Sequence, residues 1–201
     1  MKTAYTTHLR ILWGAKDANT LLPVPPDAQL ELFRARFSSS TDVMKTARSP
    51  CLLIQKSLVS ISREYRNQNL GGRKNAIEYL EDDLLDYMQT YCARYGLRMW
   101  TPDLTESAYS IYNSACRLIA ISTFKHALAL DSYSFTGIDC SVAANTELLI
   151  RIYDHFIHYK QPRLRRQESR SPGRLLRAAN LNTIYRRRNA VRPIFILAVS
   201  P

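Results

Sequence analysis

The segment between Glu106 and Lys125 most constrains the fold, because it offers water almost nothing to bind. Arg117 is its only formal charge, and apolar or small residues recur on most sides of a helix built from it. A helix that is apolar on most sides is usually covered by other elements. The sequence therefore predicts that residues 103–129 form the most buried helix, with these side chains inside: Ile111, Ala115, Leu118, Ile119 and Phe124.

Asp103 and Glu106 have the three-residue spacing of a capping box, which predicts the start of that helix. Four further segments show the periodicity of amphipathic helices: residues 27–37, about 49–70, 73–95 and about 141–160. Pro162 is expected to end the last of them, because proline disrupts a helix interior. Five helices and no alternating strand pattern predict an all-α fold, an irregular bundle of about five helices.

Length and composition fit one globular domain, with 201 residues of which 46% are hydrophobic and 22% charged. The pattern divides the chain into an N-terminal extension (1–26), a helical domain (27–160) and an Arg-rich, partly disordered C-terminal arm (161–201). Within the arm, residues 175–181 could form a short basic helix, and residues 193–199 resemble a strand. No apolar run approaches the roughly 18 residues of a membrane span, which predicts no membrane insertion.

Charge separates the arm from the rest of the chain. The chain holds 28 Lys and Arg against 17 Asp and Glu. Residues 161–201 contain ten of these cations, all arginine, and one acid, Glu168, so the arm carries +9 and the remainder +2. Such asymmetry indicates a polyanion partner or an interaction tail. Guanidinium groups suit two-point contacts with phosphate.

We therefore predict that the arm binds a polyanion, either nucleic acid or an acidic protein. The candidate binding residues are its clustered arginines: Arg163, Arg165, Arg166, Arg170, Arg174, Arg177, Arg186, Arg187 and Arg188. In the alternative interpretation, the helical body is a protein–protein interaction scaffold, and the arm serves only for import or solubility. The oligomeric state does not follow from the sequence.

No pattern indicates a catalytic, cofactor or metal site. His155 and His158 are three residues apart, but a helical metal site needs further ligands. The acidic run 81–83 fits a solvated helix face, on which Asp82 and Asp86 lie opposite the apolar stripe of residues 73–95. The segment from Asn69 to Lys74 has glycines before basic residues but lacks the spacing of a phosphate-binding loop. An enzyme is the weakest of the three hypotheses.

Tyrosine is frequent, with 12 residues, several of them on the two middle helices. Their rings suit the edge of a core, where each hydroxyl reaches water. A base-stacking surface is the sharper alternative. The four cysteines form no C-x-x-C pair, and the N-terminus has no export signal, so we expect a reduced, intracellular protein. The arginine clusters add the nucleus as a candidate location.

Four stretches resemble an expanded protein family of mushroom-forming fungi that has no assigned activity. They are YGLRMWTPD (95–103), LLIRIYDHF (148–156), SPGRLLRAA (171–179) and YRRR (185–188). The resemblance covers roughly residues 70–190. It implies a eukaryotic, intracellular setting, and it transfers no fold, activity or site.

Overall fold

A computed structural model of the chain describes residues 2–15, 20–61, 82–133 and 145–197, without the side chains of residue 186 and residues 189–197. The described residues are helical and contain no strand, which confirms the all-α prediction. Because α6 and α7 belong to one continuous helix, they form seven separate α-helices where about five were predicted. The helices are α1 (Lys2–Trp13), α2 (Asp27–Arg36), α3 (Ser40–Arg48), α4 (Asp82–Arg94), α5 (Ile111–Ala129), α6 (Thr146–Asp154), α7 (Gln161–Arg170) and α8 (Arg174–Leu197).

Helix α5 lies at the centre, and α1, α2, α3, α4 and α6 pack against it. Ala115, Ile119 and Phe124 are fully buried, as predicted. Ile111 and Leu118 are only partly buried, so the prediction that they lie inside is wrong. These two residues and Lys125 are spaced by seven and therefore share one side of the helix, the side that meets solvent.

The start of α5 also differs from the prediction. The helix begins at Ile111, where the Oγ of Ser110 accepts the N–H of Asn113 at 3.2 Å. Asp103 lies in the preceding loop, and its carboxylate accepts both the N–H and the hydroxyl of Thr105, at 2.8 and 2.7 Å. The carboxylate thus closes a local turn, a role for which short acidic side chains compete with helix capping.

Two buried amide side chains hold the loop between α4 and α5 in place. Asn113 accepts the backbone N–H of Asp103 at 2.9 Å and donates to its carbonyl at 2.8 Å. Gln29 of α2 makes the same pair of bonds with the backbone of Met99, at 3.1 and 3.0 Å. Trp100 is consequently buried, and its indole N–H donates to the carbonyl of Cys116 at 2.9 Å.

The predicted helix from Ser49 is wrong over the residues that can be compared. Ser49 instead ends α3 with an extended backbone. Residues 50–61 run without an α-helix and include one 3₁₀ turn, Lys56–Leu58. The N–H groups of Leu53 and Ile54 donate to the carbonyl of Ala93 at 3.0 and 3.3 Å, so a contact with α4 replaces the local helical pattern.

Other predicted features lie partly or wholly outside the described residues. These are residues 62–81, which include the loop at Asn69–Lys74 and the first third of the predicted helix 73–95, and residues 134–144. Within the described part of that helix, Leu84 and Met88 are buried whereas Asp82 and Asp86 are exposed, which confirms the predicted inner and outer faces.

Helix α1 is part of the core, although the sequence pattern indicated only a short apolar cluster there. Its Tyr5, Leu9 and Leu12 are fully buried. His8 is buried as well, with its Nε2 at 2.8 Å from the hydroxyl of Thr123 and its Nδ1 at 2.9 Å from that of Tyr133.

The hydrogen bonds of Thr123 fix the tautomer of His8. The Thr123 hydroxyl donates to the carbonyl of Ile119 at 2.8 Å, so it accepts the Nε2–H of His8. The Nδ1 of His8 is then the acceptor for the hydroxyl of Tyr133. Both ring nitrogens are used by the neutral imidazole, and burial lowers the pKa of His8 to about 3.

Helices α6 and α7 are joined without interruption by a π-helical segment, His155–Lys160. Pro162 does not end this helix, contrary to the prediction, and lies in the first turn of α7. In an α-helix the proline ring meets the carbonyl four residues earlier and leaves one acceptor unpaired. The π segment directly before Pro162 has a different hydrogen-bond register, which removes that conflict.

A ladder of aromatic rings attaches this long helix to the rest of the core. Phe156 stacks on Trp13 of α1, with ring centroids 5.5 Å apart. Trp13 in turn lies parallel to Trp100, at 6.4 Å and an interplanar angle of 4°. Tyr153 meets Trp100 edge-on at 6.3 Å. The π segment is thereby held beside the end of α1.

We predict that the stability of the protein falls as the pH drops from about 6.5 to about 3, partly because of His8. The unfolded chain takes up the proton near pH 6.5, whereas the buried imidazole resists it until about pH 3. Above pH 6.5 this contribution is complete, and its loss reaches up to about 5 kcal/mol at the acid end. Urea unfolding of wild type and His8→Gln across this range checks it, since the variant should have a shallower dependence.

Neighbouring substitutions in α5 test its inner and outer sides. Ile119→Ala should lower the free energy of unfolding by about 2–5 kcal/mol, because it empties space in the core. Leu118→Ala, on the partly exposed side, should lower it by less than half as much. Equal losses in equilibrium urea unfolding would contradict the assigned orientation of α5.

Candidate polyanion-binding surface

Helix α7 continues the core helix into the basic arm and has two different faces. On the inner face, Gln161 is fully buried and its Oε1 accepts the backbone N–H of Leu22 at 3.1 Å. Arg165, one turn later, donates from Nη2 to the carbonyl of the same Leu22. The two side chains therefore hold both backbone groups of one residue in the connection between α1 and α2.

The outer face of α7 carries arginines that point into solvent. Arg163, Arg166 and Arg170 are exposed. Arg166 donates to the carbonyl of Pro162 at 3.3 Å, a bond within the helix that leaves most of its guanidinium accessible. Of the four arginines predicted for this segment, three thus lie on one surface and Arg165 does not.

The turn between α7 and α8 is organised by Glu168, the arm's only acid. Its carboxylate accepts the backbone N–H groups of Gly173 and Leu175, at 2.5 and 3.0 Å. Bonds from the N–H groups of Leu175 and Gly173 lower the pKa of this carboxyl group. Gly173 has φ of +77°, a conformation that favours glycine. Glu168 therefore caps α8 and is not directed at the arm's arginines.

Arg177 also contributes to this turn, because it donates to the carbonyl of Pro172 and to the hydroxyl of Ser171, both at 3.1 Å. The predicted short helix at residues 175–181 is confirmed and extends much further, to Leu197. The strand-like interpretation of residues 193–199 is wrong over 193–197, which are helical. Residues 198–201 lie outside the described part of the chain.

Helix α8 exposes the arginines whose side chains are described. Arg174, Arg177, Arg187 and Arg188 are exposed, and the side chain of Arg186 lies outside the described residues. No residue of α8 among those described is buried. No described arginine of the arm forms an ion pair with a carboxylate. The arm thus presents most of its predicted binding residues to solvent without a neutralising partner.

Large apolar side chains are exposed on the same helix. They are Leu176, Leu181, Ile184 and Tyr185, with exposed fractions of 67%, 53%, 45% and 58%. At 100° per residue, Leu181 and Tyr185 lie on the side of Arg174 and Arg188, whereas Leu176 lies near Arg187 on the other side. Charged and apolar groups are therefore mixed around α8.

The other candidate groups do not form a site within the described chain. His155 is exposed, and His158 is half-buried, so that burial lowers the pKa of His158. Asp154, a predicted partner of His158, instead pairs with Arg117 at 3.2 Å, whereas the predicted pair of Glu147 and Arg151 is confirmed. No group of three potential metal ligands occurs among the residues that the structure describes.

The tyrosines of the middle helices form no continuous exposed platform over the described positions. Tyr95 and Tyr112 are buried, and their hydroxyls donate to the carbonyls of Val43 and Thr101. Tyr87 stacks on His126, with centroids 3.6 Å apart, and only Tyr109 is strongly exposed. Tyr79 lies outside the described residues.

The buried cysteines are structural, as their apolar sequence context indicated. Cys92 and Cys116 are fully buried, and burial raises the pKa of the Cys92 thiol to about 12. Cys51 is exposed, and Cys140 lies outside the described residues.

No protein-family model, curated protein or solved structure matches the chain. Among the described residues, no helix has the length and apolar character needed to cross a membrane. The function must therefore be inferred from the geometry and charge of the arm itself.

Sequence reasoning grouped Arg165 with the other arginines and missed its attachment to Leu22. The one signal in the sequence was the four-residue spacing of Gln161 and Arg165, which places both on one helix face, but their target lies about 140 residues away in the sequence. Arg165 is therefore better described as a structural residue than as part of the accessible basic surface.

Arg165→Ala should lower the free energy of unfolding by about 1.5–3 kcal/mol, the usual range for a hydrogen bond from a charged group. Arg163→Ala is the matched control, because it removes the same side chain from the exposed face of the same helix and should change stability by less than about 0.5 kcal/mol. Equilibrium urea unfolding measures both. Indistinguishable values would show that Arg165 does not support the fold.

Proposed function

We propose that the protein is an all-α binding module whose helices α7 and α8 bind the phosphates of nucleic acid. The observation that carries the proposal is the set of exposed arm arginines with no carboxylate partner, on a helix whose described residues are not buried. Arginines in such an arrangement retain their full charge for an external anion. Each phosphate that they neutralise would release counterions and so contribute to affinity.

The arrangement of charge around α8 favours nucleic acid over an anionic membrane surface. A helix that lies on a membrane separates its basic side from its apolar side. In α8 the exposed Arg187 is rotated by 100° from Arg188, and apolar residues accompany both. A helix in the major groove, about 12 Å wide, meets phosphates on both walls, so cations on more than one side can be used.

The dimensions of α8 are compatible with this mode. Its 24 residues make a helix about 36 Å long, comparable with one turn of a DNA duplex. The cap formed by Glu168 and the contacts of Arg177 fix the angle at which α8 leaves α7. Binding would then be governed mainly by phosphate contacts, with little dependence on base sequence.

A second candidate function is a protein–protein scaffold, in which the arm serves for import or solubility. The exposed Leu176, Leu181, Ile184 and Tyr185 favour it, because large apolar side chains on a surface mark interaction sites. The two functions differ in their response to salt. Apolar association changes little with ionic strength, whereas phosphate binding weakens steeply.

We predict that Arg174→Gln, Arg187→Gln and Arg188→Gln together weaken binding to a duplex DNA oligonucleotide. The slope of log affinity against log salt should become shallower by as much as about 0.9 for each phosphate that the variant no longer neutralises. Fluorescence anisotropy at several salt concentrations measures the slope. The matched control carries three charge removals on the exposed surface of the body: Lys45→Gln, Arg48→Gln and Arg98→Gln.

The control should retain the wild-type slope or lose much less of it, which separates the arm from net charge. Equal losses in the two triple variants would contradict the proposed site. Affinity that does not depend on salt would favour the scaffold. Binding to vesicles rich in an anionic lipid, without binding to the duplex under the same salt conditions, would replace nucleic acid with a membrane surface.

A further inference from the structure

Two cations of the body converge on one aromatic ring next to the start of the arm. The ring is Phe156, which is nearly fully buried and stacks on Trp13. The guanidinium carbon of Arg10 lies 5.6 Å from its centroid, and the Nζ of Lys160 lies 5.2 Å from it. Both distances are within the range of cation–π contacts. One cation comes from α1 and the other from the π segment.

The local charge around Lys160 is predominantly positive. Neither Lys160 nor Lys2 forms an ion pair within the described chain. Asp154, the acid of the adjoining helix α6, is paired with Arg117. Burial lowers the pKa of Lys160, and the nearby charges of Arg10 and Lys2 lower it further. The unbound protein therefore holds like charges close together at an energetic cost that a bound anion would reduce.

The cations also lie in line with the arm. Lys160 immediately precedes α7, and the exposed Arg163, Arg166 and Arg170 follow on the same continuous helix. From Lys160 to Arg170 this helix rises about 15 Å. A polyanion that follows the outer arginines of α7 towards the core would therefore reach Lys160 next.

We propose that Arg10 and Lys160 together bind a phosphate group of the nucleic acid, so that the binding surface begins on the helical body and not at residue 161. This inference rests on the proposed function of the arm. Phosphate is the expected ligand chemistry because one phosphate has several acceptor oxygens, which an ammonium and a guanidinium group from two elements can share. The contact also ties the orientation of the nucleic acid to the rigid body.

Lys160→Gln tests the site because it removes the charge and keeps a polar side chain. We expect affinity for the duplex to fall several-fold, and the salt slope to become shallower by about 0.9, the value for one neutralised phosphate. Lys160→Arg should retain most of the affinity. Lys125→Gln is the control, because Lys125 is similarly half-buried but lies on the solvent side of α5, where it donates to the hydroxyl of Thr146.

A second readout distinguishes binding from a structural role. Removing one of several like charges should leave thermal stability unchanged or raise it, whereas replacing a structural lysine should lower it. In the wild type, the pKa of Lys160, followed by NMR of its side-chain methylene groups, should rise when the duplex is bound.

The outcomes separate this inference from the function on which it rests. If Lys160→Gln keeps the wild-type slope while the triple arm variant loses affinity, the arm binds nucleic acid and the body site is wrong. If wild type shows no salt-dependent binding to the duplex, both proposals are wrong. A Lys160→Gln variant that loses affinity only because its melting temperature drops would also overturn the body site.

Discussion

The need to cover helix α5 organises the rest of the structure. Between Glu106 and Lys125 this helix has one formal charge, and five other helices pack around it. Burial of that apolar surface is the main favourable contribution that a domain of this size can make to its stability. The few polar groups inside are satisfied in specific ways, such as the bonds of His8 to Thr123 and Tyr133, which give the core a defined register.

The continuous helix from α6 to α7 connects this core to the arm. Its first half is attached through Phe156 and Tyr153 to the tryptophan ladder. Its second half binds the backbone of Leu22 through Gln161 and Arg165. The π segment lies between these attachments and lets the helix pass Pro162. The first turns of the basic arm are consequently as well positioned as the core helices.

Electrostatics give the arm its proposed role. The single acid, Glu168, is used by backbone N–H groups at the start of α8, and the described arginines have no ion-pair partners. Concentrating like charge in this way costs stability in the unbound protein, and a polyanion would offset that cost. The proposed phosphate site at Arg10 and Lys160 follows the same principle on the body, where the cations come from segments about 150 residues apart.

The sequence by itself determined the all-α class, the identity of the central helix, the solvent face of α4 and the basic character of the arm. These properties depend on local periodicity and charge, which are readable within a few turns of helix. Only the tertiary structure decided that α1 belongs to the core, that residues 50–61 leave the helical pattern for α4, and that the helix passes Pro162. It also separated Arg165 from the exposed arginines and brought Lys160 to Arg10. Each of these depends on a contact between distant segments or on a change of backbone register, and neither leaves a periodic signal in the sequence.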